Sequence, residues 1–237
     1  MDQLIVALDV ETSGHALQLA SSLDGLAGGF KVGNRLFTSE GPALVRRLVD
    51  RGARVFLDLK YHDIPNTVAQ AVEAAVQTGA WMINVHASGG HAMMRAAAGA
   101  ARDTADRLGR PAPMMIAVTV LTSMDDAALH GVGVDRPVLD QVLALARMTQ
   151  DAGLQGVVAS AQETPAIRAA CGPDFQIVTP GIRGAAAGSD RNDQSRTMGP
   201  AEALRAGASY IVVGRPIIAA TDPHAAAAAI ASELAAV

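Results

Sequence analysis

The sequence predicts a single α/β domain over residues 1–237, folded as a TIM (β/α)8 barrel. Three observations lead there. Short apolar runs alternate with longer helical segments, the pattern of parallel strands joined by helices. Several helical segments stop at a glycine just before the next apolar run. Polar and charged residues collect at or just beyond the C-terminal ends of the strands, the end at which a β/α barrel builds its active site.

Taken in chain order, the predicted strands are Leu4–Val10, Gly29–Gly33, Arg54–Lys60, Trp81–Ala87, Met114–Leu121, Gly156–Ser160, Gln176–Pro180 and Tyr210–Gly214. Each is a short run rich in Val, Ile, Leu or Met, bounded by turn-forming residues. Helical segments fall between them, among them Pro42–Asp50, Thr67–Thr78, Met93–Leu108, Val138–Asp151 and Ala201–Ala206. Gly52, Gly79, Gly109, Gly153 and Gly207 stand where the residue after a helix should adopt the left-handed conformation. The Ala-rich tail from His224 to Val237 reads as a packing helix. An open doubly wound sheet is the alternative, but no G-x-G-x-x-G follows the first strand. The one long stretch without a clear element is Gly184–Gly199; a loop of that length in a compact domain is usually functional or disordered.

Composition narrows the function classes. Half of the residues are apolar and 18% are charged, as in a globular chain. A net charge of −4 with scattered Lys and Arg gives no basic footprint for nucleic acid. The single cysteine, Cys171, cannot form an internal disulfide. The start MDQLIVALDV lacks a basic region of the signal-peptide kind, and no apolar run reaches the roughly 18 to 20 residues that span a bilayer. The expectation is a cytoplasmic protein that binds neither membrane nor nucleic acid.

The chemistry is concentrated in Arg54-Val-Phe-Leu-Asp-Leu-Lys60. Residues two apart on a strand point the same way, so Asp58 and Lys60 share one face while Leu57 and Leu59 face the helix layer. Alone, the pair reads equally well as a structural ion pair. Lys31 and Asp63 alter that balance, because four alternating charges are a costly way to stabilise a fold. A phosphate signal accompanies them: Gly214-Arg215 follows the last strand and Pro180-Gly181-Ile182-Arg183 the seventh, and barrels often bind phosphate with those two loops. Asp9, Thr122 and Ser123 lie at further strand ends.

Other residues read more plainly. The six histidines, including His62, His86 and His91, have no metal-ligand spacing, with His62 expected to face solvent or an interface. Cys171 is expected in a loop and lacks a paired base. The nine methionines are expected to fill the core. No metal or cofactor is implied.

The segment Asp58-Leu59-Lys60-Tyr61-His62-Asp63-Ile64-Pro65-Asn66-Thr67 closely resembles the D-x-K-x-x-D-I-x-x-T signature of the orotidine 5′-phosphate decarboxylases. The resemblance runs nearly end to end, through Phe30-Lys31-Val32-Gly33, Val118 to Ser123, Thr179 to Arg183 and Val212 to Arg215. It implies a cofactor-free decarboxylase of orotidine 5′-phosphate (OMP) in pyrimidine biosynthesis. Lys31, Asp58, Lys60 and Asp63 would form the charged array, with Lys60 the proton donor. Asp9 and Lys31 would bind the ribose, and Thr122 or Ser123 the pyrimidine. Gly214, Arg215 and Gln194 would hold the phosphate, with Arg183 and the loop after it closing over it, and Pro180 would bind the substrate. Asp63 and Thr67 would reach across a homodimer interface. The spacing from Arg183 to Gln194 is about two residues longer than the family's, an insertion of the kind loops tolerate cheaply. A metal-dependent sugar-phosphate lyase of the same superfamily is the nearest rival, but such enzymes usually carry an acid where this chain has Lys31. A non-catalytic nucleotide-binding barrel is the other, and it would need neither Lys31 nor Lys60.

Overall fold

The computed structural model describes residues 2–182 and 198–237. Eight parallel strands close into a barrel in sequence order. They are β1 (Leu4–Ala7), β2 (Gly29–Gly33), β3 (Val55–Tyr61), β4 (Met82–His86), β5 (Met114–Val118), β6 (Gly156–Val158), β7 (Gln176–Thr179) and β8 (Tyr210–Val213). Closure comes from β1 beside β8, where Leu4, Ile5 and Val6 stand opposite Ile211, Val212 and Val213. Between and around them lie α1 (Ser13–Ser22), α2 (Asn34–Glu40), α3 (Pro42–Val49), α4 (Pro65–Val76), α5 (Gly90–Arg107), α6 (Asp126–Gly131), α7 (Val138–Asp151), α8 (Thr164–Cys171), α9 (Pro200–Arg205), α10 (Arg215–Ile218) and α11 (Pro223–Ala235). Among the described residues no helix is long and apolar enough to cross a membrane.

The period of two along each strand divides the apolar residues into two cores. Leu4, Val6, Phe30, Val32, Val55 and Leu57 face outward and pack with the inner faces of the helices. Ile5, Ala7, Phe56, Met82, Ile116, Val178 and Val212 fill the barrel itself. That filling is what makes a β/α barrel a packed core rather than a pore. At the N-terminal end the Arg54 guanidinium lies 3.8 Å from the centre of the Trp81 ring, which meets Tyr210 edge-on. The methionine pair Met93 and Met94 is fully buried, as is Met82.

The five glycines expected after helices all have positive φ, from +61° at Gly109 to +106° at Gly207. Of the five expected helices, α3 and α7 begin where the sequence places them, and α4, α5 and α9 begin earlier. α4 starts at Pro65 rather than Thr67, with the proline in its first turn, where its missing N–H costs nothing. Cys171 is corrected: it is the last residue of α8 and buried against the core, not a loop residue, and burial pushes its thiol upward in pKa.

Candidate active site

The polar residues sit directly on top of the barrel's apolar filling. Two residues beyond the inward-facing Ala7, Phe56, Met82, Val178 and Val212 come Asp9, Asp58, Asn84, Pro180 and Gly214. The alternation that buries the core therefore carries these positions into the C-terminal mouth of the barrel. Lys31 joins them because its neighbours Phe30 and Val32 take the outward face.

Three of the expected charges meet. Lys60 Nζ donates to Asp58 Oδ1 at 2.6 Å, and Lys31 Nζ lies 3.4 Å from Asp58 Oδ2. Lys31 Nζ also donates to Asp9 Oδ1 at 3.2 Å. The row within one chain thus runs Asp9, Lys31, Asp58, Lys60, with alternating sign. Asp58 is its buried centre at 7% exposure, and Asp9 its open end. Asp63 is not in this row. It lies in the exposed turn after β3, and its carboxylate accepts the Ile64 N–H at 2.6 Å.

Burial alone would raise the pKa of the Asp58 carboxyl. The ammonium groups of Lys31 and Lys60, with hydrogen bonds from Lys60 and Asn84, outweigh it and hold the group below its ordinary value. Asp58 is thus an anion fixed by its surroundings rather than by water, and its charge stays available in a partly desolvated site.

Lys60 has a backbone φ of +54°, the one non-glycine residue in the left-handed region among those described. A side chain held there costs on the order of 1–3 kcal/mol, and such strain persists only where neighbours over-determine it. Here the neighbour is β4. Pairing of β3 with β4 shifts register between Leu57 and Tyr61, so the strand bulges at its mouth-facing end. A bulge re-aims side chains, and this one turns Lys60 onto the carboxylate of Asp58.

Glycines line the same pocket. A Cβ on Gly33 would come within 3.1 Å of Lys31 Nζ and 3.5 Å of Asp9 Oδ1. One on Gly214 would lie 3.5 Å from the Ala7 Cβ and 3.7 Å from Asp9 Oδ2. Gly214 therefore abuts the charged row, and Arg215, next in sequence, opens α10 beside it on the exposed side. Thr122 and Ser123 form a turn after β5, closed by the Met124 N–H on the Leu121 carbonyl; Thr122 is half-buried and Ser123 exposed. Pro180 is half-buried, followed by Gly181 at φ +78°. Thr67 is exposed in the first turn of α4. Arg183, Gln194 and the greater part of the 184–199 loop lie outside the described residues.

Three functional candidates escaped the sequence reading. Asn84 is fully buried at the centre of β4, bonded to both Asp58 and Lys60. An asparagine inside an apolar strand was the available signal, since an unpaired amide there would be costly. Tyr61 ends β3 with its phenol pushed up to about 12 by burial, and so stays neutral. His86 ends β4 with its ring 5.5 Å from that of the exposed His62.

Burial lowers the pKa of His86; His62 and Lys60 lower it further and Asp58 opposes them. Its ordinary value is 6.5, so the unfolded chain takes up a proton at this position before the folded chain does. Stability from a neutral His86 is complete above about pH 6.5 and is lost as pH falls from there through the lowered value. His86→Gln is expected to flatten the decline of Tm between about pH 7 and 5. An equally steep decline in both proteins would remove His86 from this account.

Among the described residues no group of three or more His, Cys, Asp or Glu side chains is placed to hold a metal ion. A cleft of about 540 Å³ lies at the N-terminal end of the barrel, lined by residues such as Asp2, Asp24, Arg51 and Arg54. It contains none of the charged-row residues and belongs to the end that stabilises such folds.

Comparisons with known proteins agree with the closed barrel and identify its family. The sequence profile described as Orotidine 5'-phosphate decarboxylase / HUMPS family matches residues 2–230. The protein named "Orotidine 5'-phosphate decarboxylase" of Moorella thermoacetica is 59% identical over 234 residues, covering 98% of this chain and 92% of its own. The one of the same name from Paramagnetospirillum magneticum is 50% identical, covering 99% of each chain. The crystal structure of orotidine 5'-phosphate decarboxylase from Lactobacillus acidophilus superimposes with a TM-score of 0.86 at 37% identity, over 98% of both chains. With its barrel closed and Lys31, Asp58 and Lys60 gathered at the mouth, the chain belongs to the Orotidine 5'-phosphate decarboxylase / HUMPS family.

Proposed function

We propose that this chain converts OMP to UMP and CO2, without metal or organic cofactor. The observation that carries the reading is the Asp58 carboxylate held between two ammonium groups, Lys60 at 2.6 Å and Lys31 at 3.4 Å, where the family has its catalytic signature. Loss of CO2 breaks the bond to C6 of the pyrimidine and leaves the electron pair in an in-plane orbital that the ring cannot delocalise. Stabilisation must then come from fixed charge. Lys60 lies beside C6 in this reading, offsets the developing carbanion and delivers a proton to it. The resulting neutral amine recovers its proton from solvent. Asp58 disfavours the substrate carboxylate more than the transition state, which loses that charge.

The remaining roles divide by distance from C6. Asp9 and Lys31 hold the ribose hydroxyls. Thr122 or Ser123 contacts the pyrimidine edge, and Thr122 is the more enclosed of the two. Gly214, Arg215 and Gln194 bind the phosphate, Arg183 adds a contact to it, and Pro180 meets the substrate at the end of β7. Asp63 and Thr67 serve the site of a second copy. His62 through Thr67 are all exposed, including Ile64 at 67%, and an apolar side chain in such a stretch suits a covered homodimer surface.

The related sugar-phosphate lyases need carboxylates free for a divalent cation, whereas here the Lys31 ammonium already sits between Asp9 and Asp58. Purified protein is expected to consume OMP in a direct absorbance assay, at the same rate with and without EDTA. No turnover of OMP would sink the reading, and a rate abolished by EDTA and restored by a divalent cation would transfer it to the metal-dependent relatives.

A further inference from the structure

We propose that Asn84 is a positioning residue for the Asp58–Lys60 pair, acting as a neutral bridge that anchors the Lys60 backbone and keeps hold of Asp58 when Lys60 turns to the substrate. The inference rests on the decarboxylase reading above.

The bridge begins in the strand pairing. Leu57 stands opposite Ile83 and Tyr61 opposite Val85, so Asp58, Leu59 and Lys60 together span what Asn84 spans alone. The regular ladder is interrupted there, and the Lys60 N–H bonds instead to the Asn84 side-chain Oδ1 at 2.8 Å. That bond ties down the residue whose φ is +54°. On its other side the Asn84 Nδ2 donates to Asp58 Oδ1 at 2.6 Å. The orientation of the amide is dictated by its partners: a backbone N–H can only donate and a carboxylate can only accept. Asn84 is fully buried, so water does not compete for either bond.

The arrangement has a consequence for the reaction. Asp58 Oδ1 receives two donors at the same 2.6 Å distance, Lys60 Nζ and Asn84 Nδ2. Lys60 has to give up that interaction and then its proton. Asn84 has no proton to lose and stays where it is, so Asp58 remains a bonded anion throughout the step. Without Asn84 the carboxylate would hold Lys60 as its main close donor, or take up a proton itself.

Asn84→Ala tests this with OMP turnover, UMP inhibition and pH profiles measured together. We expect kcat to fall about 30-fold, the scale of one hydrogen bond to a charged group. KM and the UMP inhibition constant should stay within about threefold of the parent, because Asn84 has no place at the phosphate or ribose. The acid limb of kcat/KM should move to higher pH, since Asp58 has lost a donor to its charged form. An unchanged kcat, or a reduced kcat with an unmoved acid limb, overturns the proposal, because a merely structural residue would lower the active fraction without touching that limb. Should Asn84→Ala not fold, the near-isosteric Asn84→Asp keeps an acceptor for the Lys60 N–H but sets a second carboxylate against Asp58. Its activity should decline as pH rises, as two adjoining carboxylates lose their shared proton; a parental pH profile at parental rate overturns the proposal equally. A parent inactive on OMP would defeat the decarboxylase reading itself, whereas an active parent with an unimpaired variant defeats only the role of Asn84.

Discussion

Lys60→Ala is expected to lower kcat by at least about 10⁴-fold, or ~5 kcal/mol at 1.36 kcal/mol per tenfold, while UMP still binds within about tenfold of the parent. In the proposed mechanism two losses coincide in that variant. A positioned proton donor typically contributes about 10²–10⁴-fold, and a preorganised charge facing the developing carbanion about 10²–10³-fold more. Both act in the transition state and neither in holding the phosphate, so the defect should appear in kcat rather than in product affinity. Lys60 is partly exposed at the mouth, outside both apolar cores, which is why its removal should leave a folded barrel. Single-turnover decarboxylation and UMP binding on the same preparation give the measurement. A variant that keeps more than about one-thousandth of the parental rate would show that another group protonates C6 and would sink the role given to Lys60.

Arg215→Ala should behave differently, lowering kcat/KM about 10³-fold, or ~4 kcal/mol, with both kcat and KM affected. Removing one member of a charge-assisted pair that binds phosphate costs a few kcal/mol. Arg215 opens α10 directly after Gly214, which lies against Ala7 and Asp9. In the proposed function, contacts at the phosphate end are thereby linked to the ribose and the charged row at one barrel mouth. Remote binding energy of this kind is spent on orienting the reacting atom, so its loss should reach kcat as well as KM. Adding phosphite dianion with the nucleoside portion of the substrate separates the two effects: the parent should be activated by it and Arg215→Ala should not. Equal kcat/KM in parent and variant would remove Arg215 from the site.

The fold was legible because the same signal recurred eight times. Apolar runs and positive-φ glycines such as Gly79 and Gly153 are local facts, and each strand was located from them. The strand ends were overrun at Leu4–Val10 and Met114–Leu121, where β1 ends at Ala7 and β5 at Val118. Val10 and Val120 are buried all the same, and apolar character reports burial rather than ladder pairing. Short helices such as α6 and α10 left little trace, being only about one or two turns long.

The sequence by itself determined the barrel and the side on which its chemistry sits, because a period of two puts Asp58 above Phe56 and leaves Leu57 to the helices. It also placed Asp58 and Lys60 on one face of their strand. Only the tertiary structure decided how they meet. Which residue of β4 stands beside the β3 bulge depends on pairing between strands, and that pairing made Asn84 the partner of both Asp58 and Lys60. The left-handed turn at Lys60 and the separation of Asp63 from the row were likewise set by contacts across the barrel mouth rather than by spacing along the chain. Local pattern states which face a side chain takes; distances between charges on different strands arise only when the sheet closes.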